Sequence, residues 1–154
     1  MPRLYLILFS FLFCSLTGLS QNKIKKLISF ADEQFKQGDY YYALDYYKQA
    51  LEKDSNSIEL LWKYAETQRA YKNYVEAEKY YAKVYAREQT TKYENSLLNL
   101  GLMQKQNGHY AKALKTFKLS LKKLTGKNNS WYYKKSEKEV ESTQWALKNL
   151  NKSQ

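Results

Sequence analysis

Gly38-Asp39-Tyr40-Tyr41-Tyr42-Ala43 returns as Lys72-Asn73-Tyr74-Val75-Glu76-Ala77 and again as Gly108-His109-Tyr110-Ala111-Lys112-Ala113. Ala43 and Ala77 lie 34 residues apart, and Ala77 and Ala113 lie 36 apart. A period in this range marks stacked supersecondary units, none of which buries its apolar face alone. It predicts a repeat architecture and moves the functional question from catalysis toward binding.

Working outward, each copy is flanked by helical spacing. Leu27, Phe30, Ala31 and Gln34 recur at i, i+3, i+4 and i+7, and so do Leu61, Tyr64, Ala65 and Gln68. The third unit offers Leu97, Leu100, Gly101 and Gln104. Behind each turn come Ala43/Tyr47/Ala50/Leu51, Ala77/Tyr81/Val84/Tyr85 and Ala113/Phe117/Ser120/Leu121. Glycine ends the first helix at Gly38 and Gly108 by tolerating a left-handed cap, whereas Lys72 stands at that place in the second unit. Ala31, Ala65 and Gly101 share one slot, and Ala43, Ala77 and Ala113 another; small residues there let two helix backbones approach. Asp54-Ser55-Asn56-Ser57 favours a turn and a helix N-cap.

One proline and five glycines in 154 residues are too little punctuation for a β-rich fold. Residues 1–20 stand apart. Arg3 precedes an almost wholly apolar Leu4–Phe13, and Gly18-Leu19-Ser20 sets small residues before Gln21. This is the layout of a secretory signal peptide cleaved after Ser20. An uncleaved anchor is the alternative, but the apolar core falls short of the ~20 residues that span a bilayer. Cys14, the one cysteine, follows the large Phe13, which disfavours lipidation. Without Arg3 the net charge of +11 becomes +10, and the mature chain has no cysteine for a disulfide. Such a positive balance suits anionic membrane surfaces or acidic partners, and a solvated lysine-rich surface equally well. Export makes nucleic acid an unlikely partner.

The residues Ala31/Gly38/Tyr40/Ala43/Tyr47, Ala65/Tyr74/Ala77/Tyr81 and Gly101/Gly108/Tyr110/Ala113/Phe117 resemble the tetratricopeptide repeat (TPR) pattern. The resemblance implies an all-α, right-handed α-solenoid of three helix-turn-helix units, residues 24–57, 58–91 and 94–127. Ser55 stands where the family closes a unit with proline, and two extra residues near Glu88 to Lys92 lengthen the second linker. Residues 130–150 look helical, with Tyr133, Val140, Leu147 and Leu150 as a thin apolar face. They are expected to cap the solenoid, with Trp145 buried on the third unit or, less readily, docking a partner. The Ser-Gln junction and the Lys/Tyr/Asn-rich repeats are also similar to envelope TPR proteins of Bacteroidota, which implies a periplasmic or secreted scaffold.

The resemblance further implies a concave groove lined by the first helix of each unit. Its candidates are Lys25, Ser29, Asp32 and Lys36; then Trp62, Lys63, Glu66 and Arg69; then Asn95, Asn99, Lys105 and Gln106. Trp62 is either a peptide anchor or a packing residue, and the sequence leaves both open. Asn99 offers an amide to a peptide backbone. The family's clamp for a C-terminal carboxylate falls on Ile28, Asp32, Lys63, Asn95 and Asn99, so that clamp is absent.

No nucleophile–base pairing stands out, and the five glycines form no phosphate loop. His109, the one histidine, reads as an exposed turn residue without companions for a metal site. The expectation is a non-catalytic protein that needs no cofactor or metal and binds a peptide or protein segment. The alternative is a peripheral binder of anionic glycan or lipid through Lys115, Lys118, Lys122, Lys123, Lys127, Lys134, Lys135 and Lys138.

Overall fold

The computed structural model describes residues 21–88 and 92–150. The expected signal peptide, its junction and Cys14 lie outside the described residues, as do residues 89–91 of the lengthened linker. All regular structure among the described residues is helical: α1 covers 21–37, followed by α2 (Tyr40–Lys53), α3 (Ile58–Ala70), α4 (Tyr74–Arg87), α5 (Ser96–Gln106), α6 (Tyr110–Lys123) and α7 (Trp131–Leu150).

The recurring phrase is the turn that joins α1 to α2, α3 to α4 and α5 to α6. All three turns use the same pair of backbone hydrogen bonds. Gly38 N–H donates to Phe35 O at 3.1 Å and Asp39 N–H to Gln34 O at 2.9 Å. Lys72 and Asn73 repeat this at 3.0 and 2.9 Å, and Gly108 and His109 at 3.1 and 2.8 Å. This is the Schellman arrangement, which satisfies the last carbonyls of a helix and requires one left-handed residue. Gly38 and Gly108 supply it at φ +85° and +79°, but Lys72 is driven to +64° with a side chain attached. Further along, Ser57 Oγ accepts the Leu60 N–H at 3.3 Å, and the Asp54 carboxylate accepts the Asn56 and Ser57 N–H groups. The Asp-Ser-Asn-Ser stretch is therefore the turn and cap that start α3.

The chain divides into two compact units within α3, one up to Leu60 and one from Leu61. In the first, Ala31, Ala43, Tyr47, Ala50, Leu51 and Leu60 are buried. In the second, Tyr81 packs with Ala65, Ala77, Leu100 and Met103, and Phe117 with Leu98 and Ala113. The small slots are filled to contact. A Cβ built on Gly101 would lie 2.5 Å from Cε1 of Phe117, so the ring occupies the space that alanine takes in the other repeats.

α7 packs along α6 and touches α5. Its buried face is the expected one, with polar residues set among the apolar ones: at about 100° per residue Ser136 and Thr143 fall within the arc of Tyr133, Val140, Leu147 and Leu150, and Glu139 at its edge. Ser136, Glu139 and Thr143 are buried, with Tyr132 and Val140 against the Phe117 cluster, whereas Leu150 is exposed. Ser120 and Ser136, both buried, share a 2.9 Å hydrogen bond across the seam. Two serines at the crossing let the helices approach, and a hydroxyl pair satisfies itself there. Trp145 is 69% exposed and does not bury on the third unit.

Candidate functional site

In the first unit, Lys25, Ser29, Asp32 and Lys36 recur along α1 at spacings of four, three and four. With Ile28 and Glu33 they line one open depression of about 430 Å³. The Asp32 carboxylate accepts the Tyr47 hydroxyl. Burial first, then this bond and the carboxylate charge, push the Tyr47 hydroxyl far above its ordinary value, so it remains a donor.

The second unit repeats the device with more partners. Glu66 sits one residue after the small Ala65, as Asp32 follows Ala31. Its Oε1 accepts the Tyr81 hydroxyl at 2.5 Å and Asn99 Nδ2 at 3.0 Å. Its Oε2 accepts Arg69 at 2.5 Å, and Arg69 Nε donates to the Tyr81 hydroxyl oxygen at 3.2 Å. Burial works against the charge on Arg69, and the Glu66 carboxylate beside it more than restores it. Burial and Glu66 raise Tyr81 well above the usual phenol range. Trp62 stands half-buried beside this network, edge-on to Tyr81 at 5.4 Å and tilted on Tyr93 at 5.3 Å between ring centroids.

The structure thus gathers Trp62, Glu66, Arg69 and Asn99 from α3 and α5 into one half-open cluster. It also revises their roles. Trp62 packs against two tyrosines, and one N–H of the Asn99 amide goes to Glu66, which orients its other N–H and its oxygen. Lys63 is half-buried on α3, and Asn95 precedes α5 without capping it through its side chain. Lys105 departs from the expected groove: its Nζ donates to Glu139 and to Ser142 Oγ, both at 2.8 Å, so it joins α5 to α7. Gln106 is exposed.

Tyr81 and Tyr93 escaped the sequence reading as members of the site. The signal was available in the register. An acid follows the small residue where the later aromatic is tyrosine (Asp32 with Tyr47, Glu66 with Tyr81). Leu102 follows it where the aromatic is Phe117. His109 is more than an exposed turn residue: its Nδ1 lies 3.2 Å from Glu78, which also accepts Asn107 at 2.8 Å and Lys112 at 2.6 Å. Burial raises Glu78, but these three donors together hold its carboxyl below the usual range. Among the described residues no group of three His, Cys, Asp or Glu side chains is placed to hold a metal ion. No described helix is long and apolar enough to cross a membrane.

A tetratricopeptide repeat family model matches residues 34–94. No curated protein matches the chain. Among solved structures, the type III secretion translocator chaperone SycD of Yersinia enterocolitica is similar at TM-score 0.71 and 16% identity, over 83% of this chain and 88% of that one. The Sgt2 TPR domain of Aspergillus fumigatus gives 0.66 at 20% identity, over 84% and 82%. The first TPR of Spaghetti (RPAP3), solved with an HSP90 peptide, gives 0.66 at 21% identity, over 82% and 94%. These likenesses show the fold: an all-α solenoid of the tetratricopeptide-repeat kind.

Proposed function

We propose that the protein is a non-catalytic interaction scaffold that holds a peptide or protein segment on the first helices of its repeats. One observation carries the reading: Trp62, Glu66, Arg69 and Asn99 converge from two helices into a preorganised cluster, with the Arg69 side chain 45% exposed and the Glu66 side chain 20%. An aromatic edge beside fixed donors suits an extended backbone and an acidic side chain. Similar folds support it, since Spaghetti is solved with an HSP90 peptide and SycD with a peptide of the translocator YopD. The departures from the carboxylate clamp favour an internal segment over a chain terminus. The leader-like residues 1–20 support a site of action in the periplasm or outside the cell, and the likeness of the repeats to envelope TPR proteins of Bacteroidota supports an envelope component. A second reading, contact with anionic envelope surfaces, is favoured by the lysines and exposed tryptophans of the last two helices.

A displayed peptide library, selected on the full chain, tests the groove. Affinity for the selected peptides should fall about tenfold or more in Arg69→Ala or Asn99→Ala, the loss expected for hydrogen bonds to a charged or buried group. Peptides that bind both variants as well as the original chain would sink the groove reading. Mass determination of the exported product checks the leader; retention of residues 1–20 would refute cleavage.

A further inference from the structure

The outer face of α7 carries two exposed indoles. Trp131 and Trp145 are 65% and 69% exposed, and each lies seven residues from Lys138. Seven residues return a helix to within about 20° of the same face, so these three form one line. Lys134 lies close beside that line, the exposed Glu141 next to it and Lys148 at its edge, so lysines outnumber acids on this face. The two indoles are about 21 Å apart at 1.5 Å per residue. The opposite face of α7 is already occupied by the Ser120–Ser136 contact and the Glu139–Lys105 pair. The stripe is therefore surplus to folding.

Charge narrows what covers it. Residues 110–150 contain ten lysines and three glutamates, with no arginine or aspartate. Lys112, Lys127 and Lys135 are paired with Glu78, Glu94 and Glu139, and Lys123 lies over the Tyr85 ring. Lys115, Lys118, Lys122, Lys134, Lys138 and Lys148 form no ion pair among the described residues. A second copy of the chain fits poorly, because an antiparallel pairing centred on the stripe sets Lys138 against Lys138. Indoles that stand proud of one helix, flanked by lysines, suit a deformable anionic phase. Tryptophan favours the headgroup level and lysine the negative surface.

We propose that α7 is a membrane-surface anchor, seating Trp131 and Trp145 at the headgroup level of an anionic phospholipid bilayer while Lys134, Lys138 and Lys148 face its charge. It lies on the bilayer without crossing it. This rests on the second reading above and does not depend on the groove: the stripe and the Trp62 cluster share no residue.

The test uses the full chain with vesicles of phosphatidylcholine alone or mixed with phosphatidylglycerol, each doped with brominated lipid. Tryptophan quenching is the readout, because residues 1–20 contain no tryptophan and an embedded leader stays silent. Quenching should appear on phosphatidylglycerol vesicles and fade with salt. The part lost in Trp131→Phe/Trp145→Phe should be most of it. Partition should fall about fivefold for Lys138→Gln and again for Lys134→Gln, the weight of one lysine at an anionic surface. All four positions are exposed, so circular dichroism should be unchanged in every variant. Equal quenching on both vesicle types, or quenching that survives the double tryptophan change, would overturn the proposal. So would quenching-free vesicles combined with a Trp131/Trp145-dependent fluorescence shift on poly-glutamate, which would assign the stripe to an acidic protein.

Discussion

Glu66 and Gly101 show how far single positions depend on their counterparts one repeat away. The carboxylate of Glu66 receives Tyr81, Asn99 and Arg69 at once, so a residue that reads as a solvated helix acid is an organiser of the α3–α4–α5 packing. Gly101 reads as one more small residue in the Ala31/Ala65 slot, but Phe117 has moved into the volume its Cβ would need. Gly101→Ala is therefore expected to destabilise the protein by about 1–3 kcal/mol despite alanine's better helix propensity, through overpacking. Adding Phe117→Leu should recover part of that loss, and a double-mutant cycle in urea measures the coupling. Additive losses would place the strain elsewhere.

At the scale of elements, the turns were legible because their chemistry is local. Glycine, a polar cap and an aromatic at fixed offsets leave few alternatives, and the same Schellman bonds recur at all three. Lys72 is the exception, held at φ +64°. Lys72→Gly should stabilise by roughly 1 kcal/mol, the left-handed penalty less the added freedom of the unfolded chain. Gly108→Ala should lose a similar amount, both read as shifts in thermal midpoint. α7 was legible as a helix and in orientation, but not in which residues it buries deepest. Periodicity of apolar residues points to Tyr133, Val140, Leu147 and Leu150, and hydrophobicity cannot announce that Ser136, Glu139 and Thr143, on the same side, are buried deepest. That choice depends on Ser120 and Lys105, which lie more than ten residues away in sequence and are polar themselves. The partner of Lys105 was illegible for the same reason: its long side chain reaches a carboxylate distant in sequence.

For the molecule as a whole, two buried carboxylates set the response to acid. Burial alone would raise Glu78 and Glu139, but Lys112, Asn107 and His109 at the first, and Lys105 and Lys135 at the second, hold both below the ordinary value. A carboxyl lowered on folding contributes stability above its unfolded value of about 4.3, and that contribution is lost as pH falls through the folded value. The urea midpoint should be flat near neutrality and decline below about pH 4, more gently in Glu139→Gln. The two interfaces of the second unit should also separate by calorimetry. Opening the core around Tyr81, Leu100 and Met103 wets apolar surface and raises the heat capacity. Detaching α7 wets Tyr132 and Val140 too, but also hydroxyls, carboxylate and ammonium groups, whose hydration lowers it and offsets part of the rise. The core thus carries most of the curvature of stability with temperature, and the α7 seam adds a sensitivity to salt and protons.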